Sequence, residues 1–212
     1  MKFNARQRMD GLCLLRGLDD GAAHMAVFDP QYRAVLDYHQ YGNEGGGRQA
    51  ARCALRQMPE AKIAEFIREI GRVLRRGAHL MLWMDKFSIG EGVHLRLLTA
   101  APFLQRVDLV CWDKKGFGNG VRTRGTSEYL VIAQRQPVRA RGVWMDHGIR
   151  DVWSEPKPRG GHIHAKPPLL IKRLIEATTR PGDLVVDPAA GGYVVLKACR
   201  ETGREFAGCD VR

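Results

Sequence analysis

The sequence has no apolar run long enough to span a membrane, no secretory-signal pattern in its first residues and no closely spaced cysteines. Every apolar stretch falls well short of the roughly 20 residues that cross a bilayer. Met1 to Gly11 lacks the apolar segment of a secretory signal. The five cysteines are odd in number and none is spaced as C-x-x-C, which is typical of reduced, packed thiols. We therefore expect a cytoplasmic protein that engages no membrane.

The composition excludes a disordered chain. Hydrophobic residues make up 44% and charged residues 27% of the 212 positions, as in folded globular proteins. This length predicts a single domain, residues 1–212, that buries a core without disulfides or metals. His162 and His164 could suggest a metal, but no Cys or acid pair completes a ligand set, so we expect none.

Positive charge is the first indication of function. Lys and Arg number 34 against 23 Asp and Glu, a net charge of +11. From Lys114 to Lys166, eleven basic residues stand against four acidic ones, so most of the excess falls in a quarter of the chain. Such a surface attracts nucleic acid through counterion release. Charge alone suits a solvated basic face equally well.

Short aliphatic runs and helical periodicity alternate along the chain. Six strands are predicted, over His24–Phe28, Ala78–Met84, Val107–Trp112, Glu128–Ala133, Asp183–Val186 and Glu205–Cys209. Three helices are predicted, over Pro59–Arg75, Pro168–Thr179 and Val194–Thr202. The alternation predicts an α/β fold with a mostly parallel sheet and helices on both faces, which binds ligands beyond the carboxyl ends of its strands.

Two Asp-Pro pairs each follow a predicted strand. After the second pair, Asp187-Pro188, Gly191 and Gly192 would let the backbone approach a ligand closely, and the next helix offers its positive N-terminus. Asp210, at the end of the following strand, stands where an acid accepts hydrogen bonds from ribose hydroxyls. These are the parts of a nucleoside cofactor site, although a strand followed by a Gly-rich turn is at least as often structural.

The first pair, in Asp29-Pro30-Gln31-Tyr32, suits different chemistry. Methylation of an exocyclic amino group requires its lone pair to be withdrawn from the ring and aimed at a methyl sulfonium. The Asp29 carboxylate and the Pro30 carbonyl could accept both amino hydrogens, and Tyr32 could stack on a flipped base. In isolation the motif more often marks an ordinary exit from a strand.

Several blocks in one order carry a family resemblance. They are Met9–Tyr32, Ile67–Trp83, Val110–Lys114, Arg124–Ala133, Asp151–Trp153, His162–Pro167 and Arg180–Asp210. Together they resemble the β-class amino-methyltransferases of bacterial and phage DNA, in which the catalytic half precedes the cofactor half. The resemblance implies a Rossmann-like fold dependent on S-adenosyl-L-methionine, with a catalytic half at 1–135, a short target-recognition segment at 135–160 and a cofactor half at 161–212.

The resemblance also implies roles for individual residues. Asp29, Pro30, Gln31 and Tyr32 form the catalytic motif and hold the target amino group and base. The residues implied in cofactor binding are Asp10, His162, Lys166, Pro167, Asp187, Pro188, Ala189, Ala190, Gly191 and Asp210. The basic stretch and a Gly-rich loop should flank the cleft and contact double-stranded DNA through Arg48, Lys114, Lys115, Arg122, Arg124, Arg139 and Arg141.

The sequence departs from the family pattern at both motifs. Gln31 replaces the second proline of DPPY, and Ala189 replaces an aromatic that usually packs on the cofactor. Gly192 and Tyr193 stand where the family has Ser and Gly, so Tyr193 needs room that the usual motif does not leave. We interpret the chain as a divergent active enzyme because the essential acceptors remain.

Several alternatives stay open from sequence alone. Asp as the first motif residue favours adenine N6, with cytosine N4 as the second choice. A non-catalytic DNA-binding relative and an amino-methylase of RNA or protein are further alternatives. A dinucleotide-dependent oxidoreductase would leave Asp29 to Tyr32 unexplained, and no G-x-G-x-x-G follows a strand. Because the recognition segment is short, we expect relaxed or very short specificity, or specificity completed by a second subunit of a homodimer.

Overall fold

The computed structural model describes residues 1–31, 58–116, 118, 122–158 and 165–211. The strands are β1 Ala23–Phe28, β2 Leu74–Met84, β3 Leu104–Asp113, β4 Ser127–Arg135, β5 Val152–Ser154, β6 Leu184–Asp187 and β7 Glu205–Gly208. The helices are α1 Gly11–Arg16, α2 Glu60–Val73, α3 Lys86–Gly90, α4 Val93–Leu98, α5 Pro168–Thr178 and α6 Val194–Thr202. Among the described residues, no helix is long and apolar enough to cross a membrane.

The seven strands form one sheet in the order β5-β3-β4-β2-β1-β6-β7. Four of the six neighbouring pairs are parallel, and β4 runs antiparallel to both of its neighbours, β2 and β3. The predicted mostly parallel α/β fold is confirmed. The structure adds the short edge strand β5 and the helices α1, α3 and α4, each six residues or fewer, which are too short to show a clear helical period.

Both faces of the sheet are covered, and the central strand β1 shows how. Met25 and Val27 point into the apolar cluster that contains the buried sides of α5 and α6. Ala26 and Phe28 point into the opposite cluster, with α1 and α2, where the Phe28 ring stacks on Phe66 at 5.0 Å between centroids. Because successive strand residues face opposite sides, a strand buried on both faces is a continuous apolar run.

The predicted boundary between the helix over residues 59–75 and the strand that follows it is wrong. The periodicity of residues 59–75 predicts a helix through Arg75, but α2 ends at Val73 and Leu74 already belongs to β2. Leu74 pairs with Ala23 of β1, and the Arg135 guanidinium donates to the carbonyls of Arg72 and Leu74. These tertiary partners satisfy the last backbone groups and outweigh the local helical preference.

Parallel strands bring their carboxyl ends to one edge of the sheet, which we call the carboxyl edge. It holds the residues that follow β1, β2, β6 and β7. Since β4 is reversed, its first residues lie at the same edge: Tyr129 pairs with Met84, and Glu128 with Trp112. The end of β4 consequently lies at the opposite edge.

Candidate active site at the carboxyl edge

Three aspartates from separate strand ends converge at the carboxyl edge. Asp29 follows β1, Asp187 ends β6 and Asp210 follows β7, and β1, β6 and β7 are adjacent. The charges of Asp29 and Asp210 both act on Asp187. The fold therefore brings Asp29, the predicted catalytic acid, together with Asp187 and Asp210, the two predicted cofactor-binding acids at the strand ends.

Asp29 is held by a lysine from the cofactor half. The Lys166 ammonium lies 2.9 Å from the Asp29 carboxylate and 2.8 Å from Glu128 Oε2. The other Glu128 oxygen lies 3.3 Å from Lys114 Nζ. Lys166 also sits 5.0 Å above the centroid of the buried Trp83 ring, a cation–π position. These ion pairs form a row of side chains whose charges alternate in sign: Asp29, Lys166, Glu128 and Lys114. The row fixes the direction of the Asp29 carboxylate.

Burial and charge act in opposite directions on these groups. Burial raises the pKa of Asp29, Lys166 opposes the rise and Glu128 adds to it. Burial also favours a higher pKa for Glu128, but Lys166 and Lys114 outweigh it and lower that pKa to about 2. Burial would lower the pKa of Lys166, yet the two carboxylates raise it above its ordinary value. At neutral pH Lys166 is charged and favours the carboxylate form of Asp29.

Asp187 is a buried carboxyl group beside the other two aspartates. It is only 4% exposed and accepts a 3.2 Å hydrogen bond from the Ala189 N–H. Burial raises its pKa to about 8, and the negative charges of Asp29 and Asp210 add to the rise. Across the described ranges no Lys, Arg or His pairs with it. A cationic ligand would supply the missing charge.

The turn after β6 is shaped to receive a ligand. Its residues run Pro188, Ala189, Ala190, Gly191, and the Ala190 N–H is fixed to the carbonyl of Cys209 at 2.9 Å. Gly191 has a φ of 46°, a conformation that side chains rarely adopt. Its N–H donates to Asp210 Oδ2 at 3.1 Å, which ties the turn to the acid at the end of β7.

Asp10 lies at the start of α1, beside this turn. Its carboxylate accepts hydrogen bonds from the N–H groups of Leu12 and Cys13 at 2.8 and 3.2 Å, so it caps the helix. Gly11 packs on Pro188 so closely that a Cβ there would lie 2.2 Å from the Pro188 carbonyl oxygen. A cofactor contact by Asp10 stays a prediction, while the capping role is established.

The structure describes some of the other predicted site residues and not the rest. Tyr32, Arg48 and His162 lie outside the described residues. Pro30 is buried, and the carbonyl of Gln31 accepts a 2.9 Å hydrogen bond from the Met58 N–H. Pro167 is the N-cap of α5, and its neighbour Lys166 faces Asp29 and Glu128. The predicted cofactor contacts of Lys166 and Pro167 stay predictions.

The basic residues before β4 lie at the carboxyl edge. Arg122 and Arg124 are exposed in the connection between β3 and β4. Their neighbour Thr123 accepts a 3.0 Å hydrogen bond from Lys86, just beyond the end of β2. Lys114 is engaged by Glu128, and Lys115 by Asp113 at 3.2 Å.

The expectation that Arg139 and Arg141 also flank the cleft is wrong. The Gln134 side chain, near the end of β4, bonds both the Arg139 backbone and the carbonyl of Gly77, at the beginning of β2. Arg139 and Arg141 therefore lie at the edge opposite the three aspartates. The error follows from the unpredicted reversal of β4, which carries the chain away from the site before this segment begins.

Glu128 is the site residue that sequence reasoning assigned only to strand structure. A charged residue at the head of the aliphatic run Glu128–Ala133 was the available signal, because burying an unpaired carboxylate is costly. The run does not reveal its partner, Lys166, 38 positions along the chain.

Comparison with known proteins agrees with this geometry. The N6/N4 DNA methylase family model, described as DNA methylase, matches residues 23–212. The chain is 48% identical over 208 residues to the Type II methyltransferase M.HhaII of Haemophilus parahaemolyticus. The matched region covers 98% of this chain and 91% of that protein.

Solved structures share the fold at low sequence identity. One is TTHA0409 of Thermus thermophilus, solved in complex with S-adenosyl-L-methionine. It has a TM-score of 0.66 at 19% identity, covering 98% of this chain and 89% of that one. Another is the cytosine-N4-specific PvuII DNA methyltransferase, with a TM-score of 0.70 at 13% identity, covering 98% and 82%.

Proposed function

Because the chain belongs to the N6/N4 DNA methylase family, we propose that it methylates the N6 amino group of adenine in double-stranded DNA. S-adenosyl-L-methionine is the methyl donor of this family. The observation that carries the proposal is the Asp29 carboxylate, which Lys166 fixes next to the buried Asp187. We place the activity in the cytoplasm of a bacterial or phage-infected cell.

Asp29 and Pro30 act on the amino group of a flipped base. The Asp29 side chain is 30% exposed, so one carboxylate oxygen can meet an incoming base while Lys166 holds the other. The carboxylate and the Pro30 carbonyl accept the two amino hydrogens, which frees the nitrogen lone pair for attack. As the carbon–nitrogen bond forms, the bond from the methyl carbon to the sulfonium would break, and its electron pair would stay on sulfur as a neutral thioether. The nitrogen becomes positively charged, and one of its protons would pass to Asp29 and then to water.

The residues around Asp187 suit the donor. S-adenosyl-L-methionine supplies an electrophilic methyl group on a positive sulfonium and also carries a positive amino group. Asp187 would offset the positive charge of the donor, and residues 189–191 would line its methionine portion. Asp210 would accept hydrogen bonds from the ribose hydroxyls. The missing counter-charge at Asp187 is what makes a cationic donor fit.

Lys166 is best understood as a positioning residue for Asp29. Its ammonium is shared between Asp29 and Glu128, with a side chain that is only 12% exposed. It keeps the carboxylate ionised and oriented without touching the reacting atoms. This role is compatible with its place in the block that the family resemblance links to the cofactor.

Transfer of labelled methyl groups to DNA tests the function. We expect label in duplex DNA and, after nucleoside digestion, N6-methyldeoxyadenosine. N4-methyldeoxycytidine would replace the adenine assignment by cytosine. Absence of label from a protein that still binds DNA and S-adenosylhomocysteine would point to the non-catalytic relative. Light scattering of the same sample with duplex DNA tests whether two subunits act together.

Charge at the carboxyl edge should govern how salt weakens DNA binding. Each phosphate contacted contributes roughly −0.9 to the slope of log affinity against log salt. Replacing Arg122 and Arg124 together with glutamine should therefore reduce the slope by up to about 1.8. The matched pair, Arg139→Gln with Arg141→Gln, removes the same charge at the opposite edge and should leave the slope unchanged. Equal effects of the two pairs would contradict this placement of DNA.

A further inference from the structure

Tyr193 occupies a position that favours glycine. It follows the turn after β6 and caps α6 with φ 57° and ψ 33°, the left-handed region. A tyrosine persists there only where its surroundings hold it. The side chain is 9% exposed, and its ring packs edge-on against Phe206, with the Arg6 guanidinium 5.2 Å from the ring centroid. The ring therefore packs between β7 and the N-terminal part of the chain.

Residues 2–10, which we call the N-terminal arm, lie along β7. The Asn4 N–H donates to the Phe206 carbonyl at 2.9 Å, and the Phe206 N–H donates to the Asn4 side chain at 2.8 Å. Further along, the Gln7 amide donates to the Gly208 carbonyl at 3.1 Å. The arm then delivers Asp10 to the start of α1, beside Pro188.

Gln7 connects the arm to both Tyr193 and Asp210. The Tyr193 hydroxyl donates to the Gln7 carbonyl at 2.9 Å and accepts from the Gln7 N–H at 3.3 Å. The same carbonyl accepts the Asp210 N–H at 3.2 Å, and the Met9 N–H donates to the Asp210 carbonyl at 3.1 Å. Asp210 in turn accepts the N–H of Gly191. A continuous chain of hydrogen bonds thus runs from the hydroxyl to the cofactor turn.

We propose that the N-terminal arm is a working part of the cofactor site, and that Tyr193 is the positioning residue that fixes it and, through Gln7, orients Asp210. The inference rests on the proposed function only in taking Asp210 as a cofactor-binding acid. Tyr193 stands where the family has glycine, and the inference gives this residue a role in cofactor affinity. The anchoring contacts hold the tyrosine in a conformation that a glycine would adopt without them.

Tyr193→Phe removes the hydroxyl and keeps the ring and the backbone conformation. The substitution removes both hydrogen bonds between the hydroxyl and the Gln7 backbone. We expect it to weaken S-adenosylhomocysteine binding by about three- to ten-fold in calorimetry. The KM for S-adenosyl-L-methionine should rise by the same factor while kcat stays within about two-fold, because the reacting groups are untouched. Amide exchange at Met9 and Asp210 should accelerate in the variant.

Thr202→Val is the matched control, because the Thr202 hydroxyl donates to the carbonyls of Ala198 and Cys199, both within α6 and away from the N-terminal arm. It should change neither the affinity nor the exchange of the arm. Unchanged S-adenosylhomocysteine affinity in Tyr193→Phe, or a loss equal to that in Thr202→Val, would overturn the inference. The binding readout needs no DNA, so a protein that binds S-adenosylhomocysteine yet does not methylate adenine would refute the proposed function and leave this inference standing.

Discussion

Replacing Asp29 with alanine should lower the rate of methyl transfer by about three orders of magnitude. The affinity for S-adenosylhomocysteine should stay within about two-fold, because Asp29 acts on the base and does not line the cofactor turn. Single-turnover transfer to DNA and calorimetry on the same preparation separate the two quantities. Asp29→Asn, which keeps the shape but cannot take a negative charge, should lose nearly as much rate.

Lys166→Met provides a graded companion to this substitution. Without the ammonium, burial and Glu128 raise the pKa of Asp29 further, so the carboxylate is protonated over a wider range. The variant should therefore be slow at neutral pH and recover rate as the pH increases, whereas Asp29→Ala stays inactive throughout. Near-normal turnover in Asp29→Ala would refute the mechanism. A parallel loss of cofactor binding would show instead that Asp29 supports the structure of the site.

Substituting Asp187 with asparagine should cost most of the affinity for S-adenosyl-L-methionine while stabilising the protein without ligand. The carboxylate is buried beside two other negative groups, and its pKa is raised to about 8. An acid whose pKa is higher in the folded than in the unfolded state destabilises the fold above the unfolded value, roughly 3.9. This penalty grows with pH and is complete above about 8.

The raised pKa of Asp187 predicts how the melting temperature and the ligand affinity change with pH. The melting temperature of Asp187→Asn without ligand should exceed that of the wild type at pH 9, with no difference near pH 3. The wild-type affinity for the cationic ligand should rise as the pH passes through about 8, where Asp187 is half ionised, and level off at higher pH. In the variant this rise should disappear. A wild-type affinity that is flat between pH 6 and pH 9 would contradict the pairing of Asp187 with the donor.

The acids of the site were predictable, and their partners were not. Asp29, Asp187 and Asp210 each follow a short aliphatic run, and parallel strands place such exits together. The Lys166–Glu128 pair depends on the direction of β4, which a period-two apolar pattern does not encode. The same missing direction misplaced Arg139 and Arg141. Tyr193 was recognised as an anomaly, but its solution, an arm from the far end of the chain, requires contacts across 186 positions.

The position of β1 in the sheet also affects the order in which the strands pair and the site forms. β2, β3 and β4 are sequential neighbours that can pair while the chain is still short. β1 bonds on its other side to β6, about 160 positions later, and such long loop closures are slow steps. Asp29 and Asp187 therefore meet only after the last part of the chain has been made. Until β6 is available, the side of β1 that pairs with it presents unpaired backbone groups, and an unpaired strand edge is prone to aggregation.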